Sequence, residues 1–387
     1  MTPRIIIIKQ RYTAAGGAER FVERTLRSLS EQTLSLTLIS RRWQATAGYT
    51  FIPCNPFYIG RTWRDWSFHR GACKKLSHLQ ADLVQSHERT SCCDVYRAGD
   101  GVHKVWLQQR DRKLSGWGKL ATQLNPYHRY TMAAERRLFQ STRLKAVICN
   151  SEMVKQEITT NFATDPKKLH VIYSGIDTQR YNPRLREKFG TATRKQLGIP
   201  KNATVFLFVG SGYQRKGLDA TLDAFNSLSS LTNLSNLSNN AHLIVVGKDK
   251  RLKRYQTLAQ QTAAANRIHF IGPVSDAKPY YGCADAFILP TLYDPFANVV
   301  LEAMACGLPV ITSNKCGAVD IIKQGKNGYI CDALDIQSIA FHMQSLLDPT
   351  TRQQVGEAGL KHVQTLTLDA MTQQLLSLYQ QLLSSEH

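Results

Sequence analysis

No apolar run in this chain approaches the roughly 20 residues needed to cross a bilayer, so any membrane contact is expected to be peripheral. The Ile5–Ile8 run, enclosed by Arg4 and Lys9, is too short for a signal peptide core. The nine cysteines, at 54, 73, 92, 93, 149, 283, 306, 316 and 331, contain no Cys-x-x-Cys pair and no Cys/His ligand spacing. That excludes a zinc module and leads to an expectation of free thiols in a reducing cytoplasm. A Gly-x-Gly-x-x-Gly fingerprint is absent too, so a dinucleotide cofactor is not indicated. Acidic residues are scarce, 29 against 49 Lys and Arg. The excess is uneven: residues 1–180 hold 29 basic and 14 acidic side chains (+15), the remainder 20 and 15 (+5). A basic surface of this kind favours polyanionic partners without choosing among nucleic acid, anionic lipid and a phosphorylated glycolipid.

What is present is a repeated rhythm. Short β-branched runs at 5–8, 36–39, 82–85, 94–96, 146–149 and 171–173 alternate with amphipathic stretches. After a polar interval the rhythm restarts at 205–209, 243–246, 268–271, 286–289 and 309–312. Buried strands alternating with helices mark parallel α/β sheets, and two sets predict two sheets. The periodicity breaks between Tyr173 and Asn182, where Gly175 and Pro183 intervene. The expected domains are 1–175, 176–366 and a C-terminal helix over 367–387 that packs back towards the first domain. Residues 227–240 read as a low-complexity surface insertion.

Three places offer chemistry suited to a nucleoside diphosphate. Gly16 and Gly17 lie between the first strand and a helix-forming stretch, where backbone N–H groups and a helix N-terminus can approach an anion. The turn Gly210-Ser211-Gly212-Tyr213-Gln214-Arg215-Lys216-Gly217 repeats that arrangement and adds a guanidinium fork and a point charge for phosphate oxygens. Finally, Asp294 lies beyond the strand ending near Pro290, and a helix is predicted from Asn298. Asn298, Val299 and Val300 would present free N–H groups to an anion. Glu302, one turn along, could accept from ribose hydroxyls, and Asp294 from sugar hydroxyls.

Together these elements resemble the family 4 glycosyltransferases, over nearly the whole chain. The most specific likeness is to that family's E-x7-E element, matched by Asp294 and Glu302 followed by Ala-Met-Ala-Cys-Gly-Leu-Pro-Val. Asp294 stands for the usual first Glu, and Ala297 stands where the family usually has Gly. Similar too are the basic loop 210–217, the Asn150-Ser151 step, Tyr173 to Asp177, and Gly16-Gly17. Within the family the likeness is nearest to the lipopolysaccharide core glucosyltransferases of Gram-negative bacteria, on Gly210 to Asp219, Val246 to Lys250 and Asp94 to Asp100.

The resemblance implies an α/β GT-B fold, two Rossmann-like parallel-sheet domains facing an interdomain cleft. It implies a retaining hexosyltransferase that moves a sugar, glucose by the nearest likeness, from a UDP-sugar to a lipopolysaccharide inner core or similar glycolipid. Asp100 takes the position facing the reacting sugar, with His103 as an alternative. The sequence does not decide between front-face attack and a covalent intermediate. With no Asp-x-Asp motif, neither a metal nor a cofactor is expected.

Residues 101–137 interleave cations with aromatics, and residues 61–70 do so again. Trp63, Trp66, Lys104, Trp106, Arg110, Arg112, Lys113, Trp117 and Lys119 are candidates for a membrane or acceptor surface, on the inner face of the cytoplasmic membrane. A basic nucleic-acid-binding α/β protein is the reading from another class. It leaves the Asp294/Glu302 element and the glycine loops without a task, so no nucleic-acid partner is expected. A different nucleotide-sugar donor or acceptor is the alternative within the enzyme class.

Overall fold

The computed structural model of the chain describes residues 2–11, 34–43, 48–228 and 240–384. Gly16, Gly17 and nearly all of the 227–240 stretch lie outside them. The chain forms two compact units, Met1–Gly175 with Leu368–His387, and Ile176–Thr367.

In the first unit, seven strands form a fully parallel sheet in the order β3-β2-β1-β4-β5-β6-β7. They are β1 (Arg4–Ile8), β2 (Ser35–Ser40), β3 (Thr50–Pro53), β4 (Leu83–Ser86), β5 (Val95–Arg97), β6 (Ala146–Cys149) and β7 (Leu169–Val171). Four consecutive isoleucines make β1 suited to the sheet centre, and all four are buried. Alternate residues of a strand share a face. Ile5, Ile7, Leu36, Leu38, Leu83, Val95, Ala146 and Ile148 thus form one core with Met371, Leu375, Leu378 and Tyr379 of the helix Leu368–Ser384. The Tyr379 hydroxyl donates to Gln85 Oε1 at 2.8 Å, pairing a polar group buried on the same sheet.

The cysteine expectation is corrected here. Cys73, at the end of the helix Gly60–Leu76, is disulfide-bonded to Cys92 in the loop between β4 and β5. The helix packing beside that loop brings the two thiols within bonding reach. The other seven cysteines are free and buried.

The second unit holds a six-stranded parallel sheet in the order β10-β9-β8-β11-β12-β13. Its strands are β8 (Thr204–Val209), β9 (Ala241–Val246), β10 (Ile268–Gly272), β11 (Ala286–Leu289), β12 (Val310–Ser313) and β13 (Tyr329–Cys331). β8 and β11 are neighbours from which the chain moves outward in opposite directions. The loops beyond their carboxyl ends therefore border a crevice, where open α/β sheets bind ligands. In the first unit β1 and β4 bear the same relation.

Candidate active site

In the second unit, the loop after β8 is built by its glycines. Gly210 N–H donates to Val246 O at 2.9 Å, and Gly212, at φ 77°, donates to Lys248 O at 3.1 Å. The Tyr213 N–H donates to Asp249 Oδ2 and its hydroxyl to Gly247 O, both at 2.8 Å. The turn closes at Gly217, φ 81°, where a Cβ would stand 1.9 Å from Pro290 O. Only glycine allows that approach. Arg215 O in turn accepts from Leu292 N–H at 2.8 Å and Thr291 Oγ1 at 2.9 Å, fastening this loop to the one after β11.

The fastening brings both cations to Asp294. Lys216 Nζ pairs with Asp294 Oδ2, and Arg215 Nη1 lies 3.4 Å from the same oxygen while donating to Tyr293 O at 3.2 Å. Asp294 N–H donates to Lys315 O at 2.9 Å, and Asp294 O accepts from Gly317 N–H at 2.8 Å, so its backbone is fixed on both sides. Its Oδ1 also accepts from Phe296 N–H at 3.2 Å. Burial alone raises this carboxyl, but the charges of Lys216 and Arg215 outweigh it and hold Asp294 below the usual carboxylate range.

The helix Asn298–Ala305 follows. Its first turn differs from the expectation in one respect: Val300 N–H is taken, donating to Ala297 O at 2.9 Å. The first turn tightens after a capping position whose alanine has no side-chain acceptor. Asn298 and Val299 precede it, and Asn298 Oδ1 is buried without a hydrogen-bond partner among the described residues. Such an orphan asks for a ligand or a water. Glu302 is buried and turns toward Tyr281, whose hydroxyl donates to Glu302 Oε2 at 2.9 Å.

In the first unit, Asp100 follows β5 between Gly99 and Gly101, with its side chain 61% exposed. Arg89 Nη1 reaches its Oδ2 at 3.2 Å. His103 behaves differently. Its ring is buried, Nε2 lies 2.9 Å from His128 Nδ1, and burial together with the charges of Arg89, His128 and Arg110 lowers its pKa to about 3. Of the two candidates, Asp100 therefore offers the accessible charged group. Sequence reading missed a polar cavity at the switch point of this sheet, lined by Gln10, Asp65, Glu88, Arg89, Thr90 and Tyr130 among others. Gln10 ties two of its acids, donating from its backbone to Glu88 Oε1 at 2.9 Å and from its side chain to Asp65 Oδ1 at 3.2 Å.

The surface candidates divide. Trp117 is 84% exposed on the helix Gly116–Leu124, with Leu120 at 45% and Leu124 at 63% along the same side. Trp63 and Trp66 are each 42% exposed, and Lys104, Arg112 and Lys119 are exposed. Arg110 is half-buried, its guanidinium directed to Thr122 Oγ1 and to His128 Nε2 at 3.3 Å. Trp106 and Lys113 are half-buried. Among the described residues no helix is long and apolar enough to cross a membrane, and no group of three or more His, Cys, Asp or Glu could hold a metal ion.

Comparison with known proteins assigns the parts. Residues 15–180 match the Glycosyltransferase Family 4 domain and residues 190–362 the domain described as Glycosyl transferases group 1. The lipopolysaccharide glucosyltransferase WaaG of Escherichia coli K12 is 26% identical over 271 residues, 69% of this chain and 68% of that protein. Two further curated glycosyltransferases, 30% and 27% identical, are matched over only 50% and 60% of their length. Among solved structures, WaaG superposes with a TM-score of 0.81 at 21% identity, covering 96% of this chain and 98% of that one. Anabaena HepE in complex with UDP-glucose gives 0.73 at 17% identity, covering 98% and 99%. At these identities the solved structures establish the GT-B fold.

Proposed function

Because the chain belongs to the family 4 and group 1 glycosyltransferases, we propose that it transfers a hexose, glucose in our reading, from a UDP-sugar to a lipopolysaccharide inner core or similar glycolipid, with retention and without a metal. The observation that carries this reading is the convergence of Arg215 and Lys216 on Asp294 at the switch point of the second sheet. A diphosphate entering there meets two fixed cations and the start of the helix Asn298–Ala305. Charge developing on the leaving oxygen is then met by groups already in place, the role a divalent cation fills elsewhere. Asp294 is freed to accept from donor-sugar hydroxyls as the phosphates draw the cations away. Glu302 accepts from ribose hydroxyls beside Tyr281. Asp100, in the first unit, acts as base or electrostatic partner in the transfer step. The HepE complex with UDP-glucose supports the donor, and the likeness to WaaG supports the acceptor.

Exposed Trp117, Leu120 and Leu124, with Lys119 and Arg112 nearby, suit the head-group region of an anionic membrane. We place the protein there as a peripheral enzyme on the cytoplasmic face.

Thermal shifts of the full chain against UDP-glucose, GDP-mannose, ADP-glucose and a duplex oligonucleotide, all in EDTA, test the donor assignment. Stabilisation by UDP-glucose alone supports it. Stabilisation only after magnesium or manganese is added, or by the oligonucleotide alone, defeats it. For Asp100, near-normal turnover by Asp100→Ala removes the residue from the mechanism.

A further inference from the structure

The backbone around Asp100 is a tight turn, with Gly99 N–H donating to Arg97 O at 2.8 Å and Gly101 N–H to Ala98 O at 3.2 Å. Glycines flank it on both sides, and Gly101 takes φ 66°. Its side chain is 61% exposed, so its ion pair with Arg89 is largely screened and contributes little to stability. The groups behind it are of another kind. Arg89 Nε donates to Glu135 Oε1 at 2.9 Å while Nη1 of the same guanidinium reaches Asp100 Oδ2 at 3.2 Å. Glu135 is 1% exposed, within the helix Pro126–Phe139. It also accepts from His103 N–H, at 3.0 Å to Oε1 and 3.2 Å to Oε2. One buried carboxylate thus fixes both the guanidinium that grips the Asp100 side chain and the first residue of the helix His103–Asp111, three positions downstream.

Burying an acid is costly, and burial raises the Glu135 carboxyl even against the Arg89 charge. A structural helix position would be filled more cheaply by an apolar residue of similar volume. A planar fork with two fixed directions is what aiming a second carboxylate requires.

We propose that Arg89 and Glu135 are positioning residues for the transfer step, fixing the orientation of the Asp100 side chain and of the loop that carries it. The inference rests on the role given to Asp100 above. Arg89 also lines the polar cavity with Gln10, Glu88 and Thr90, so the same guanidinium links that cavity to Asp100.

The test is a double-mutant cycle on the full chain, reading UDP release from UDP-glucose in the presence of a heptose-terminated inner-core glycolipid. Glu135→Gln keeps the shape and an acceptor for His103 N–H but removes the charge that orients Arg89. It is expected to lower kcat roughly 10- to 100-fold, the scale of a misplaced reacting group, with the UDP-glucose KM within about twofold. Combined with Asp100→Ala it is expected to cost nothing beyond Asp100→Ala alone, because both remove the same interaction. Unchanged kcat in folded Glu135→Gln, or losses that multiply in the double variant, overturn the proposal. Should Glu135→Gln be unfolded at the assay temperature, Arg89→Lys carries the same cycle, since it keeps the charge and loses the fork. Normal turnover by Asp100→Ala alone refutes the catalytic role of Asp100 and this inference with it. Loss in Asp100→Ala without loss in Glu135→Gln or Arg89→Lys refutes only the positioning pair.

Discussion

Lys216 and Asp294 pair across the carboxyl ends of β8 and β11, with side chains only 11% and 9% exposed. Neither is comfortable alone at that burial, so the absence of one changes the state of the other. Lys216→Met leaves Arg215, 3.4 Å away, to balance Asp294 and is expected to destabilise the protein by about 3 kcal/mol. It should also weaken UDP-glucose binding at least tenfold. Chemical denaturation and a UDP-glucose titration on the same preparation measure both. Stability and affinity equal to wild type would separate this pair from the donor.

The same pair sets a pH dependence. Asp294 titrates below an ordinary carboxylate because its two cations outweigh burial. Its contribution to stability is therefore complete above the ordinary carboxylate range and is lost as pH falls through the lowered folded-state value. Asp294→Asn should remove that component. Thermal midpoints of wild type and variant are expected to differ most near neutrality and to converge in acid. Parallel pH profiles would count against it.

Gly217→Ala adds a single methyl at φ 81°, 1.9 Å from Pro290 O. That clash cannot be relieved by a side-chain rotation, so the turn must move away from the loop after β11. The variant is expected to lose most donor affinity and several degrees of thermal midpoint. Gly198→Ala, at φ 67° with nothing within 4 Å of the added Cβ, is the control. It should show backbone strain without loss of donor binding.

Replacing Trp117, Leu120 and Leu124 together by serine removes exposed apolar area from one helix side. Flotation with vesicles containing about 30% anionic lipid should fall while UDP-glucose binding is retained. Flotation unchanged by the triple substitution, or indifferent to lipid charge in the wild type, would refute peripheral docking through this helix.

The two sheets were legible because their inner strands are runs of buried β-branched and aromatic residues, as in Ile5–Ile8 and Val205–Val209. β3 and β13 were not. Thr50–Pro53 is a half-exposed edge strand ending in proline, and Tyr329–Cys331 has only three residues, so neither carries a periodic signal. β7 lies at 169–171, two residues before the run at 171–173, because strand pairing with β6 rather than hydrophobicity sets its limits. The Arg215/Lys216/Asp294 grouping could be read from glycine punctuation and charge. Arg89 and Glu135 could not: they are 46 residues apart, and a Glu before two arginines on a helix reads as a solvated charge. The Cys73–Cys92 bond was hidden for the same reason, since nothing in a separation of 19 residues announces that a helix end packs beside a loop.

The core of the first sheet includes Met371, Leu375, Leu378 and Tyr379, encoded roughly two hundred residues and more after β7. During synthesis, residues 176–367 emerge as an uninterrupted segment holding every strand of the second sheet. That face of the first sheet meanwhile lacks its C-terminal helix until the segment beginning at Leu368 has left the ribosome. The usual order of domain completion is thereby inverted: the half translated first matures last, and its unfinished face is the surface a nascent-chain chaperone would meet.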